Sequence, residues 1–217
     1  YGEPLRYVGW MAMGLAMLAA LVLNKPLADA FTFGIAAVAF AADGLVRRQI
    51  ALVYASGASL VAAIWYALLY FRVTEWQAFA IPAGVWCLAV GWGELRRGRM
   101  QLYQAATLAG FAILFGSAFY QSLLNINYAL LLLVESALAF GIGWRFKSRA
   151  YVSAAILALA ANGFAQFGPA FVNLDRWIQI GTIGSILLLG GLVGLLRREK
   201  ILDARRAFTS EWKAWKP

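Results

Sequence analysis

The sequence predicts an all-α fold, a polytopic transmembrane helical bundle of eight spans arranged as repeated helical hairpins, with a C-terminal amphipathic interfacial helix. Three observations carry this. Hydrophobic residues make up 63% of the 217-residue chain and charged residues 13%, against roughly 45–50% and about 25% in soluble domains. The apolar residues gather into runs of span length. The basic residues gather at every second connection between those runs. A fold in water needs more polar cover than this composition holds, so a soluble enzyme, a disordered chain and a nucleic-acid-binding domain are excluded.

A span needs about 20 mostly apolar residues. The first run, Leu5–Leu23, ends at Asn24-Lys25-Pro26, and the second, Ala28–Val46, ends at Arg47-Arg48. The third, Ile50–Phe71, stops before Arg72. The fourth, Trp76–Leu95, is interrupted by Pro82 and ends at Arg96-Arg97-Gly98-Arg99. The fifth is Gln101–Leu124. The sixth, Tyr128–Trp144, carries Glu135 and closes at Arg145-Phe146-Lys147-Ser148-Arg149. The seventh, Ala150–Phe167, carries Asn162 and Gln166. A short half-apolar loop, Gly168–Arg176, follows and is expected at the membrane surface, and Trp177–Leu196 is the eighth run. None of these runs alternates as a barrel strand does, and the helix is the other way to satisfy every backbone amide in lipid. Residues 1–196 thus form a transmembrane helical domain and 197–217 a cytoplasmic amphipathic tail. Trp76, Trp144 and Trp177 fall at run ends, where amphipathic rings favour the headgroup layer. Trp65, Trp86 and Trp92 lie deeper and are expected to pack between helices.

Sixteen of the nineteen Lys and Arg residues fall on one set of connections together with Arg6 and the tail. The other set holds Lys25, Arg72 and Arg176. Basic connections stay in the cytoplasm, so both termini are expected inside, in a bacterial inner membrane. The net charge of +9 is then a topology signal that also anchors the protein to anionic lipid. In the tail, Ile201, Ala204, Phe208, Trp212 and Trp215 form one helical stripe opposite basic residues, the pattern of a helix lying in the inner interface.

The text recurs with a period near 48 residues. Tyr7, Tyr54, Tyr103 and Tyr151 each open a span. Phe40-Ala-Ala-Asp-Gly-Leu-Val-Arg-Arg, Leu88-Ala-Val-Gly-Trp-Gly-Glu-Leu-Arg-Arg and Leu138-Ala-Phe-Gly-Ile-Gly-Trp-Arg-Phe-Lys each lead into a basic turn. Each unit reads as a descending helix, a basic turn and an ascending helix, all of one orientation, unlike the inverted repeats of secondary transporters. On this reading the first span is the second half of a unit, and the chain, which opens at Tyr1, is expected to be the C-terminal part of a longer repeat-built protein. The hairpins with Gly-Trp before a basic turn, and the run Trp177-Ile-Gln-Ile-Gly-Thr-Ile-Gly-Ser-Ile-Leu-Leu-Leu-Gly-Gly before a Trp-bearing tail, resemble the ends of large, uncharacterised, repeat-built polytopic membrane proteins of bacteria. The resemblance implies no activity and no site.

Chemistry is scarce. There is no histidine and one cysteine, Cys87, in an apolar run. No imidazole acid–base group, His- or Cys-based metal site or intrachain disulfide is expected, and neither is a cofactor. No lysine lies inside a span, which removes a buried Schiff base. Glu135 is the acid near mid-span, where a charge costs at least about 2.5–3.5 kcal/mol. It reads either as a proton or cation site or as a neutral carboxyl tying two helices. Asn162 and Gln166, four apart on one face, are its expected polar company, with Ser136 beside it and Gln121 on the fifth span. Asp43 and Glu94 stand four and three residues before arginines, as helix-surface ion pairs do. Small residues at four-residue spacing (Ala106/Gly110, Ala154/Ala158, Gly181/Ser185, Gly190/Gly194) let helices approach closely.

The leading functional expectation is a non-catalytic membrane scaffold or accessory subunit, partnered by the lipid bilayer and by other membrane subunits or further repeats, with no nucleic acid. The alternative is a transporter or channel using Glu135, Asn162 and Gln166. A third reading, an intramembrane enzyme acting on lipid, needs Asp43 and Glu94 side by side.

Overall fold

The computed structural model describes residues 2–23, 25–196 and, in the tail, Thr209, Trp212 and Trp215. Eight helices occupy it among the described residues: α1 (Gly2–Leu23), α2 (Pro26–Arg47), α3 (Ile50–Tyr70), α4 (Trp76–Arg96), α5 (Met100–Ser122), α6 (Ile126–Phe146), α7 (Arg149–Val172) and α8 (Arg176–Leu196). Seven of them, α1 to α7, are long and apolar enough to cross a membrane. The protein is a multi-pass membrane protein. In α8 the apolar stretch is Arg176–Leu189. The expected tail helix, with Phe208, lies outside the described residues apart from those three.

Local chemistry sets the boundaries. Lys25 is extended and Pro26 opens α2, where a proline's missing N–H costs nothing. The Asn125 side chain caps α6, accepting from the Asn127 amide at 2.9 Å. Three helices end on a non-glycine residue in the left-handed region: Arg48 (φ 56°), Arg72 (φ 56°) and Lys147 (φ 53°). Gly98 does the same at φ 75°. Each belongs to a Schellman closure. The amide after it donates back to a carbonyl five residues earlier: Gln49 to Gly44 at 2.9 Å, Val73 to Leu68 at 3.0 Å, Arg99 to Glu94 at 3.0 Å and Ser148 to Gly143 at 2.9 Å. Cations at these ends also suit the helix dipole. The stretch expected as a surface loop from Gly168 proves partly helical. α7 runs through Pro169 to Val172, as α4 runs through Pro82, because a proline removes a single donor and leaves the bonds on either side in place, and the Asn173 amide caps the Pro169 carbonyl at 3.2 Å.

The chain divides into two compact units, 1–117 and 118–217, the boundary falling within α5. In the first unit, α2 packs on α1 and α3, and α3 packs on α4. Phe33 stacks on Tyr66 across α2 and α3. The Trp86 indole lies directly over Gly57, where an added Cβ would come within 2.1 Å of its nitrogen. Helices α4 and α5 meet over glycines: a Cβ on Gly110 would stand 3.0 Å from the Gly84 carbonyl, and one on Gly91 would stand 2.7 Å from the Thr107 hydroxyl. In the second unit, α6 buries Ala129, Leu132, Ser136, Ala139 and Gly143, alternately three and four residues apart, against Tyr151, Val152, Ala155, Ala158 and Asn162 of α7. Where lipid tails are as apolar as leucine, such close contact through small residues is what holds helices together.

Candidate functional site

Polar side chains within spans must find partners inside the protein, so the fate of each identifies where function can reside. In the second unit, Asn162 is buried and donates from Nδ2 to the Ala129 carbonyl on α6 at 2.9 Å. Gln166, one turn on, donates from Nε2 to the Ser122 carbonyl at 3.1 Å. The two share a face, as their spacing predicts, and each ties α7 to a different helix. Glu135 lies at mid-span on α6 and is half-buried, at the edge of the packed stripe rather than within it. Its neighbour Ser136 occupies the seam and is fully buried. The Ala129 carbonyl that holds Asn162 is six residues from Glu135, about 9 Å of helix rise.

Trp212 and Trp215 sit at the α6–α7 turn. Trp215 is buried and meets Trp144 edge-on, ring centroids 5.4 Å apart. Trp212 lies against Trp215 at 5.2 Å, and Arg149 Nε donates to the Trp212 carbonyl at 2.6 Å.

A second polar centre stands in the first unit. Glu94, in the last turn of α4, is buried to 1% exposure. Its Oε1 accepts the Tyr54 hydroxyl proton from α3 and lies 3.4 Å from Arg97 Nη1, while Oε2 is 3.7 Å from Arg99 Nη1. The i,i+3 pair with Arg97 is the one the spacing predicts. The burial and the tyrosine are not, since Tyr54 is forty residues away in sequence. The visible signal is positional. Aligned on the left-handed residues Arg48, Gly98 and Lys147, Glu94 stands where the other two turns have Gly44 and Gly143. Asp43 instead holds Arg47 at 2.7 Å, partly exposed, and lines a hollow of about 300 Å³ with Arg6 and Trp10 of α1. Among the buried polar residues that escaped the sequence reading are Asp29 in the first turn of α2 and Gln77, whose Oε1 accepts from Ser117 at 2.6 Å.

Among the described residues no group of three or more His, Cys, Asp or Glu side chains is placed to hold a metal ion. No protein-family model matches the chain, and neither does any curated protein or solved structure.

Proposed function

We propose that this protein is a non-catalytic integral membrane scaffold or accessory subunit, binding lipid and neighbouring membrane subunits. The observation that carries this reading is how Asn162 and Gln166 are used. Both donate to backbone carbonyls of adjacent helices, so they fasten helices together instead of lining a route for solute. Glu94 serves similarly, joining α3 to α4 through Tyr54. On this reading α8 is an eighth span. The hairpins are duplicated units, supported by the recurring text before the basic turns at 47–48, 96–99 and 145–149. The basic turns and both termini face the cytoplasm of a bacterial cell.

The test is reconstitution. Glu135→Gln keeps the shape of the side chain and removes its charge. The purified variant should assemble with the same stoichiometric membrane partners as the parent, and neither protein should dissipate a proton or sodium gradient across liposomes. A gradient lost through the parent and retained with Glu135→Gln would establish the transporter alternative and overturn the scaffold.

A further inference from the structure

The ends of α3, α4 and α5 away from the basic turns enclose a cavity of about 590 Å³. It exists because α4 presents Ala80 and Ala83 and α5 presents Ser117, all short, between the tall walls of Trp65, Trp76 and Phe79. The walls are set. The Trp65 indole donates to the Phe79 carbonyl at 2.7 Å, and the Ser117 hydroxyl is engaged by Gln77 and by the Ile113 carbonyl at 2.7 Å. With these polar atoms satisfied, the hollow presents carbon. The volume is that of a small-molecule site, about 300–1,000 Å³.

Its depth selects the occupant. The lining runs over residues 65–69 of α3, 76–83 of α4 and 113–117 of α5. The longest of these stretches is about 12 Å of helix, less than half of the roughly 30 Å hydrocarbon thickness. A spanning helix of another subunit would need a groove running through the whole bilayer, whereas a lipid tail needs one leaflet. The rim supplies charge. Val73 and Thr74 line the mouth, and Arg72, held in the left-handed region by the α3 closure, is exposed beside them. Arg72 is one of three basic residues on the poorly charged set of connections. Glu75, also exposed in this turn, suits a headgroup that carries an ammonium along with its phosphate.

We infer that this hollow is a phospholipid-binding site, taking one acyl chain between Trp65 and Trp76 and the phosphate on Arg72. The site requires only that α3 to α5 cross a bilayer and is independent of the scaffold role. The full chain in phosphatidylethanolamine nanodiscs, doped with phosphatidylethanolamine bearing a photoreactive diazirine in its acyl chain, tests it. Label should concentrate on residues 65–83 and 113–117. Ala83→Leu, which excludes about two methylenes, should lower that labelling about tenfold, and Arg72→Gln about fivefold. Trp76→Ala, at a position 70% exposed, removes a wall without touching the core and should also lower it, so the test stands if Ala83→Leu does not fold. Label spread evenly over all the helices, or unchanged by these substitutions, overturns the site. So does a protein subunit crosslinked at position 76 in native membranes.

Discussion

The α6–α7 and α4–α5 turns close with the same hydrogen bond and left-handed residue, yet they bring their helices together differently. At the base of α6–α7 stands Gly143, where a Cβ would fall 2.8 Å from both Tyr151 Cβ and Val152 Cγ2, and 2.9 Å from the Val152 amide nitrogen. The backbones touch at the turn. The equivalent position of α4–α5 is Glu94, whose side chain reaches Tyr54 on α3, and α4 meets α5 farther along, at Gly91, Gly84 and Gly110. One residue thus decides whether a turn seals its own hairpin or fastens it to the preceding helix. The first hairpin, with Gly44 at that position, is of the sealed kind but looser: a Cβ there would stand 3.0–3.1 Å from Leu52 and Val53.

Gly143 stands at the tighter of the two sealed turns. Gly143→Ala should cost about 2–3 kcal/mol, because its contacts, backbone included, all fall below 3.0 Å, whereas Gly44→Ala, with its contacts at 3.0–3.1 Å, should cost about 1 kcal/mol. Thermal unfolding of both variants in detergent measures the gap, and equal losses would mean the two turns do not differ. Tyr54→Phe should cost about 1.5 kcal/mol, the value for a hydrogen bond to a charged acceptor. In combination with Glu94→Ala the two losses should fall short of additivity, because each removes the same shared bond; strictly additive losses would dissolve the fastening. The smallest effect belongs to Asn162→Ala, about 0.6 kcal/mol, as for other interhelical hydrogen bonds in lipid. A much larger loss would mean that more than the Ala129 carbonyl depends on this side chain.

Most of the helical frame is legible in the sequence, because lipid imposes a simple rule: long apolar runs bounded by arginine, lysine and tryptophan. The predicted ends lie within a few residues of the observed ones except at α7, where Gly168-Pro169 has the look of a breaker but does not stop the helix. Glu94 shows the limit. An acid three residues before an arginine is the pattern of a solvated pair, and only the docking of α3, a tertiary event, turns it into a buried one. Glu135 and Ser136 show the same limit at finer scale. Hydropathy places both at mid-span, but a rotation of about 100° decides which of the two enters the seam, and that rotation is set by the packing of Ala129, Leu132 and Ala139. The lipid hollow is invisible for the same reason, since its short residues lie on two helices and its walls on two.

The left-handed closures of Arg48 and Lys147 set two requirements against each other. A glycine at either site would relieve a conformational cost of about 1–2 kcal/mol, yet on the proposed topology it would also delete a cation from the basic turns that set the orientation of the hairpins. On that topology, directed evolution for heat resistance alone would erode the charge that orients the chain. Arg72 sets a different pair of requirements against each other: glycine there would relieve the same backbone cost, yet it would take away the guanidinium proposed to hold the lipid phosphate.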